Sequence, residues 1–163
     1  MEVVAGRVTV SDVDEFVQHQ QAIAADHDAM VQAFDARYIV DREHLEQAVT
    51  LANRAIERGE AIADDPAVEV LCYAAGTRQI EDALEIGISP GESRVVLVID
   101  GGDETTVATS IANDIDTDPT VLGDYDRDLV RAFYNIGDAE LGATAAGLPA
   151  LVRERVALLS VER

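Results

Sequence analysis

The sequence predicts an α+β domain, layered as in α/β proteins, in which a small mixed β-sheet packs against several α-helices. Three apolar runs of β-compatible residues, at 2–10, 68–74 and 94–100, supply the predicted strands. The segments between and after these runs repeat apolar residues at helical spacing. The chain has 163 residues, the length of one ordinary domain, so we assign 1–163 to a single unit.

The first predicted strand, at 2–10, is rich in valine. Ser11 is expected to cap a helix over about 12–25, because an acidic residue lies three positions later, as in a capping box. A short helix is then expected at 29–34, although the residues that follow it fit either an extended segment or a helix end.

The clearest helical pattern begins after Asp41 and ends at Gly59, which supplies a C-terminal stop. His44 falls in the first turn, beside the apolar stripe, where a partly buried packing role and a binding role are both open. The stripe is formed by Leu45, Ala48, Val49, Ala52, Ala55 and Ile56.

The central segment is expected to be a strand, a glycine corner and a helix. The run at 68–74 is nearly all apolar, which suits a strand buried on both faces. Gly76 breaks this strand, and Thr77 is a suitable N-cap for the helix that follows. Arg78 and Gln79 then fall in the first turn, so two hydrogen-bond donors are presented at a chain reversal, where binding residues are common.

The second half of the chain contains the expected innermost strand, at 94–100, because its centre is continuously apolar. Gly87 and Ile88 before it fit a Schellman ending for the preceding helix. Further helices are expected around 108–115, at 124–134 and from Pro149 onward. The last helix carries apolar residues on more than one face, which fits either burial in the core or contact with a partner.

The composition is strongly acidic. The chain has 32 acidic residues and 12 basic ones, all of them arginine, for a formal net charge of −20. A lysine-free acidic surface resembles the proteins of haloarchaea, in which molar salt screens the repulsion between carboxylates. Because no apolar run is long enough to span a membrane and no signal peptide is recognisable, we expect a cytoplasmic protein without a membrane partner.

Motifs for catalysis are missing from the sequence. Cys72 is the only cysteine, and the three histidines do not have metal-ligand spacing, so neither a metal nor another cofactor is expected. No nucleophile elbow or phosphate-binding loop is present. These patterns favour a binding module over an enzyme. The alternative is a small-molecule-binding or catalytic domain that uses the Gly101-Gly102 turn after the third strand.

Several segments together resemble a known family. They are Phe34-Asp-Ala36, Glu43-His-Leu-Glu-Gln-Ala48, Glu69-Val-Leu-Cys-Tyr-Ala-Ala-Gly-Thr-Arg-Gln-Ile80 with Ala83-Leu84 and Gly87-Ile88, and Arg153-Glu-Arg-Val-Ala-Leu-Leu159. Over roughly 2–160 this combination is similar to the small tRNA-binding subunit of the KEOPS complex, the TPRKB-like family. The Arg-Gln-Ile corner is the most specific of these segments.

The resemblance implies a non-catalytic regulatory subunit. Its implied partners are the small atypical kinase/ATPase subunit of the complex and tRNA, which it helps to recruit through the single-stranded 3′ CCA end. This recruitment would support threonylcarbamoylation of the adenosine next to the anticodon. The family's tRNA surface often carries lysine, which this chain lacks, so hydrogen bonds and stacking are expected to carry the contact.

Two sets of residues follow from combining the resemblance with the local patterns. The set expected to bind the 3′ end of tRNA is Tyr73, Gly76, Thr77, Arg78, Gln79 and Ile80, with His44 as a further candidate. The set expected to contact the kinase subunit is Leu151, Val152, Leu158 and Leu159 on the last helix.

Overall fold

The computed structural model describes residues 1–161, in which eight α-helices surround a four-stranded β-sheet. The strands are β1 (Glu2–Val10), β2 (Met30–Asp35), β3 (Gly91–Asp100) and β4 (Asp116–Thr117). The helices are α1 (Val13–Ala25), α2 (Arg42–Glu57), α3 (Pro66–Ala75), α4 (Ile80–Ala83), α5 (Glu104–Asp114), α6 (Arg127–Phe133), α7 (Asp138–Ala143) and α8 (Leu148–Leu159). Short 3-10 helices occupy Ala36–Tyr38, Leu84–Ile86 and Pro119–Val121. These elements confirm the predicted α+β class.

The sheet has the strand order β2-β3-β1-β4, and its three pairings are all antiparallel. It is therefore not the mixed sheet that was predicted. β3 lies inside the sheet, as expected, and pairs with β1 from Glu2↔Ile99 to Val10↔Gly91. Its residues 95–99 are completely buried because helices cover both faces of the sheet.

Alternate residues of β3 enter two apolar clusters on opposite faces. Val95, Leu97 and Ile99 pack with residues of α1 and α5. Val96 and Val98 join the larger cluster, which contains α2 and α3. A third cluster links α6 with α8 on the outer side of this layer. The two-residue period of a strand thus divides one apolar run between two helical layers.

The strand predicted at 68–74 is wrong, because this segment lies within helix α3. The Asp65 carboxylate accepts a hydrogen bond from the Ala67 N–H at 2.9 Å, and Pro66 occupies the first turn. Both features favour the start of a helix. Almost every side chain of α3 is buried, and a helix buried on all sides has the same continuous apolar sequence as a buried strand.

The short helix predicted at 29–34 is also wrong. Residues Met30–Asp35 form β2, and every residue of β2 pairs with β3, from Met30↔Asp100 to Asp35↔Val95. The apolar run is too short for its periodicity to distinguish the two structures. Pairing with a strand distant in sequence decides the outcome, and that pairing has no local signature.

The helix expected after Thr77 is much shorter than predicted. It is reduced to α4, and Gln79 occupies its N-cap position instead of Thr77. The Schellman ending predicted at Gly87 is wrong as well, because Gly87 has a φ of −75°. That type of ending occurs at Gly76, whose φ is 66°, with the Thr77 N–H donating to the Cys72 carbonyl at 3.2 Å.

Candidate functional site

The corner at Gly76 lies against the last helix. A Cβ atom added at Gly76 would come within 3.3 Å of the Arg155 Cβ and carbonyl oxygen on α8. Such a contact is tight, and the positive φ of Gly76 also favours glycine. The glycine thus lets the end of α3 approach α8 closely, and this places the corner beside the C-terminal half of α8.

Arg78 makes a second connection between the corner and α8. Its Nη2 donates a hydrogen bond to the carbonyl oxygen of Leu159, the last residue of that helix, at 3.0 Å. Carbonyl groups at a helix C-terminus lack intrahelical partners and carry partial negative charge, so a guanidinium there is favourable. Arg78 nevertheless remains exposed.

The predicted corner residues differ in how far they reach solvent. Arg78, Gln79 and Ile80 are exposed, whereas Gly76 and Thr77 are half-buried. The Thr77 hydroxyl accepts a hydrogen bond from the Gln79 N–H at 3.1 Å, which fixes the turn. The corner, held by this hydrogen bond, therefore presents a cationic, an amide and an apolar side chain in a row.

A groove of about 280 Å³ runs beside this corner. Gly76, Thr77 and Arg155 line one part of it, and Asp82 and Glu85 contribute carboxylates. The acidic side chains make the groove unfavourable for phosphate groups. A nucleic-acid ligand at this position would be held through base edges and stacking.

Tyr73 and His44, which were predicted to join the site, lie beneath the surface. Tyr73 is only 4% exposed and His44 is completely buried. The His44 Nδ1 accepts from the Val40 N–H at 3.3 Å, so its Nε2 carries the proton and donates to the Ala74 carbonyl at 2.8 Å. Burial lowers the pKa of His44 to about 4. Both side chains support the corner from inside instead of facing a ligand.

Arg155 was not singled out from the sequence, but it organises the wall of the groove. Its guanidinium binds both carboxylate oxygens of Glu140, at 2.8 and 2.6 Å, and the carbonyl oxygens of Tyr134 and Asn135, each at 3.1 Å. The hydrogen bond from Arg155 lowers the pKa of Glu140. One side chain thus fastens α8 to the segment between α6 and α7.

Exposed apolar side chains concentrate in two segments, the one from Ile80 to Leu84 and the end of α8 from Leu158 to Val161. Among the described residues, five large hydrophobic residues are exposed, and four of them lie on these two segments. We call the four the α4–α8 apolar patch: Ile80, Leu84, Leu158 and Val161. The Arg78–Leu159 hydrogen bond joins the two segments that carry the patch.

Only part of the predicted kinase-binding set reaches the surface. Leu158 is 37% exposed, whereas Leu151, Val152 and Leu159 are buried in the apolar clusters around α8. Leu84 and Val161 were not in that set, and they are 57% and 71% exposed. The apolar residues along α8 do not reveal which face of the helix its neighbours cover. The prediction from the sequence therefore assigned more exposed apolar surface to α8 than the structure shows.

The Gly101-Gly102 turn uses its donors within the chain. The Gly101 N–H donates to a Glu104 carboxylate oxygen at 2.7 Å, and the Asp103 N–H donates to the His27 carbonyl at 3.0 Å. A Cβ at Gly102 would come within 1.9 Å of that same carbonyl oxygen. The turn is therefore closed against the loop after α1, which disfavours the alternative of a phosphate or metabolite site there.

Other chemistry is limited in the part of the chain that the structure covers. Residues 1–161 contain no group of three or more side chains suited to holding a metal ion, and no helix among them is long and apolar enough to cross a membrane. Burial raises the pKa of the Cys72 thiol to about 11. A protonated, enclosed thiol of this kind is a poor nucleophile.

The family of the chain follows from a sequence comparison. Residues 9–160 match the family model described as kinase binding protein CGI-121. The chain belongs to the CGI-121 family. This match covers nearly the whole chain and confirms, at the level of the family, the resemblance found in its motifs. A search of curated proteins found no match.

Membership of the CGI-121 family gives the chain a kinase as its partner class. Kinase binding agrees with the binding module that the motifs favoured. The CGI-121 match spans the corner at Gly76, the α4–α8 apolar patch up to residue 160, and the residues that line the groove beside the corner.

Proposed function

We propose that this CGI-121 protein is the non-catalytic kinase-binding subunit of a KEOPS tRNA-modification complex, and that it docks on the atypical kinase through the α4–α8 apolar patch. The observation that carries this proposal is the concentration of exposed apolar residues in the segment from Ile80 to Leu84 and at the end of α8. Large apolar side chains that are exposed on two segments joined by a hydrogen bond, on a very acidic surface, are typical of a protein interface.

The geometry of the patch suits an anchor for a partner. Arg78 holds the two segments together, and Arg155 and Gly76 fix α8 against the end of α3. A surface that is rigid before binding loses less conformational entropy when the partner docks. In molar salt, apolar contacts keep their strength while surface ion pairs are screened.

The test is a binding measurement with the KEOPS-type kinase of the same organism. Replacing Leu84 or Leu158 with Glu is expected to weaken binding at least about tenfold, because a buried interface anchor contributes more than about 1.4 kcal/mol. Ile56→Glu is the matched control, since Ile56 is exposed to 38% on α2, outside the patch, and Leu158 is exposed to 37%. Titration calorimetry in molar KCl measures the affinities.

Two results would contradict the proposal. Kinase binding unchanged by both patch substitutions would place the interface elsewhere. An equal loss with Ile56→Glu would indicate a general effect of added charge. Melting curves of each variant separate a lost interface from a lost fold.

We further propose that the corner recruits tRNA by its 3′ CCA end. The side chains of Arg78 and Gln79 provide donors for base edges, and Ile80 offers an apolar face on which a base can pack. Because the groove beside the corner carries Asp82 and Glu85, phosphate attraction contributes little. Ile80 belongs to both proposed surfaces, so the kinase and the tRNA end would bind next to each other there.

A further inference from the structure

Three arginines converge at the end of the sheet that is remote from Glu2. Arg7 of β1, Arg94 of β3 and Arg37 of the 3-10 helix after β2 line one cavity of about 440 Å³. We call this group the arginine basin. The hydroxyl-bearing residues Ser89 and Ser93 also border it. A quarter of the chain's 12 basic residues thus lie around a single concavity of a protein with a net charge of −20.

Two members of the basin face each other on neighbouring strands. The register of β1 and β3 places Arg7 directly opposite Arg94. Opposed residues of an antiparallel pair have Cβ atoms about 4.5–5.5 Å apart, and like charges in this position destabilise the sheet. In a chain with so many carboxylates, this position could easily hold an opposite charge. Asp118 and Asp124 each offset one of these charges, and an anion between the two guanidinium groups would contact both arginines at once.

Carboxylates that are themselves fixed orient two of these arginines. Asp118 accepts from Arg7 Nη1 at 3.1 Å and is held by the Thr120 N–H and hydroxyl, at 3.0 and 2.6 Å. Asp35 accepts from Nε and Nη2 of Arg37 and also from its backbone N–H, at 2.7–3.1 Å. Orientation by a supporting layer of hydrogen bonds is a general feature of prepared binding sites.

Donor capacity remains after these contacts. Within residues 1–161, the structure gives no partner to Nε or Nη2 of Arg7 and Arg94, or to Nη1 of Arg37. Arg94 makes its ion pair through Nη1 alone, at 2.6 Å from Asp124, whose side chain is 69% exposed. A single contact to an exposed carboxylate is readily exchanged for a bidentate contact to another oxyanion.

We infer that the arginine basin binds the phosphate group of a small phosphorylated ligand of mononucleotide size. Guanidinium groups match the oxygens of phosphate in bidentate geometry, and Arg7 and Arg94 each keep donors that their single contacts to Asp118 and Asp124 do not use. The cavity volume is in the range of small-ligand sites. This site is separate from the α4–α8 apolar patch and from the corner, so the inference does not depend on the proposed function.

Nearby carboxylates set the selectivity of this site. Glu92 and Asp35 line the same cavity, and Asp35 is already neutralised by Arg37. Asp124 competes with an incoming phosphate for Arg94. A weakly charged anion would not displace Asp124, whereas a phosphate dianion that contacts two guanidinium groups would. Removing the Asp124 carboxylate should consequently strengthen phosphate binding. If the ion pairs only stabilised the fold, no such gain in affinity would be expected.

The experiment uses the whole protein in about 1 M KCl, a salt concentration at which unspecific attraction is screened. Inorganic phosphate, pyrophosphate and AMP are titrated while the arginine Nε–H signals are followed by NMR. We expect saturable shifts for Arg7 and Arg94. Arg94→Gln should weaken AMP binding about tenfold or more, and Asp124→Asn should strengthen it several-fold. Arg42→Gln is the control outside the basin, because Arg42, like Arg94, has one carboxylate partner.

The outcomes separate the alternatives. Absence of saturable shifts with all three probes, or weaker binding in Asp124→Asn, would overturn the inference. Binding of a single-stranded RNA oligonucleotide without binding of AMP would overturn the assignment to a small ligand. If Arg94→Gln fails to fold, Asp124→Asn still decides the question, since it leaves the three arginines in place.

Discussion

The imidazole of His44 and the hydroxyl of Tyr134 donate hydrogen bonds to the same acceptor, the carbonyl oxygen of Ala74, each at 2.8 Å. Ala74 lies in the last turn of α3, two residues before the Gly76 corner. Its carbonyl lies where a helix leaves acceptors without intrahelical partners. The pair thus ties α2 and the end of α6 to the base of the corner, inside the protein.

This relationship predicts a pH-dependent stability. Because the pKa of His44 falls from 6.5 to about 4 on folding, the unfolded chain binds the proton more tightly. The contribution is therefore present above pH 6.5 and is lost as the pH falls from about 6.5 toward 4. By pH 4 the loss amounts to about 3 kcal/mol of unfolding free energy. Denaturant unfolding from pH 7.5 to 4 measures it.

His44→Gln is the control for that experiment. Glutamine does not titrate, but it offers an amide donor toward Ala74, so its stability should change less over the same pH range. Carboxylates titrate in both proteins, and the difference between the two curves isolates the histidine. Parallel curves for the two proteins would contradict the assignment.

Glu69 predicts a second effect on stability. It is completely buried, and its carboxylate accepts from the Ile62 N–H at 2.8 and 3.0 Å and from the Ala63 N–H at 2.9 Å. Glu69→Ala should lower the free energy of unfolding by about 2–4 kcal/mol, because it leaves buried donors without a partner. Thermal and denaturant melting measure this loss.

Glu57→Ala provides the comparison for Glu69, because Glu57 is an exposed helical glutamate. It is expected to change stability by less than about 0.5 kcal/mol. Glu69→Gln should fall between the two, since its amide oxygen can still accept one of the hydrogen bonds. Similar losses for Glu69→Ala and Glu57→Ala would show that the buried carboxylate is dispensable.

Salt should stabilise the whole protein. The formal net charge of −20 makes the carboxylates repel each other in dilute buffer. Raising KCl from about 0.1 to about 3 M shortens the Debye length from about 10 Å to below about 3 Å and removes most of this repulsion. The melting temperature is expected to rise throughout the titration. A flat or falling midpoint would refute the interpretation of the composition as halophilic.

Some local signals predicted their elements correctly, but the cap predicted at Ser11 was wrong, because Asp12 caps α1 and accepts from the Glu15 N–H at 3.1 Å. Asp41 caps α2 by accepting from the His44 N–H at 2.8 Å, as the pattern indicated, and the glycines after β3 form a turn before α5. Where distant contacts decide, the local pattern was insufficient. Met30–Asp35 becomes a strand because β3 is beside it, and Pro66–Ala75 becomes a helix although its composition also suits a buried strand.

The candidate site shows the same division. Exposure of Arg78, Gln79 and Ile80 agrees with their expected position at a chain reversal. The burial of Tyr73 follows from the packing of α3 between its neighbours, and the burial of Leu151 and Val152 from the way α6 and α8 pack together. The burial of these side chains depends on tertiary packing, which a local sequence pattern does not contain. The facing of Arg7 and Arg94 likewise depends on the register of two strands far apart in sequence.

Arg78 provides the decisive prediction for tRNA binding. Arg78→Glu should weaken binding of tRNA at least about tenfold, or about 1.4 kcal/mol, because it replaces a donor at the corner by an acceptor. The contact to Leu159 is lost as well, so melting and kinase binding are measured on the same variant. Arg58→Glu is the control, since it makes the same charge change at an exposed arginine at the end of α2.

A thermodynamic cycle then tests whether Arg78 acts on the CCA end. Removing CCA from the tRNA should weaken binding to the unsubstituted protein by a similar factor. Combined with Arg78→Glu, the truncation should add little further loss, because the two changes remove the same contact. Filter binding or fluorescence anisotropy in molar KCl gives the four affinities. Fully additive losses, or full affinity for the trimmed tRNA, would mean that another surface of the protein holds the tRNA end.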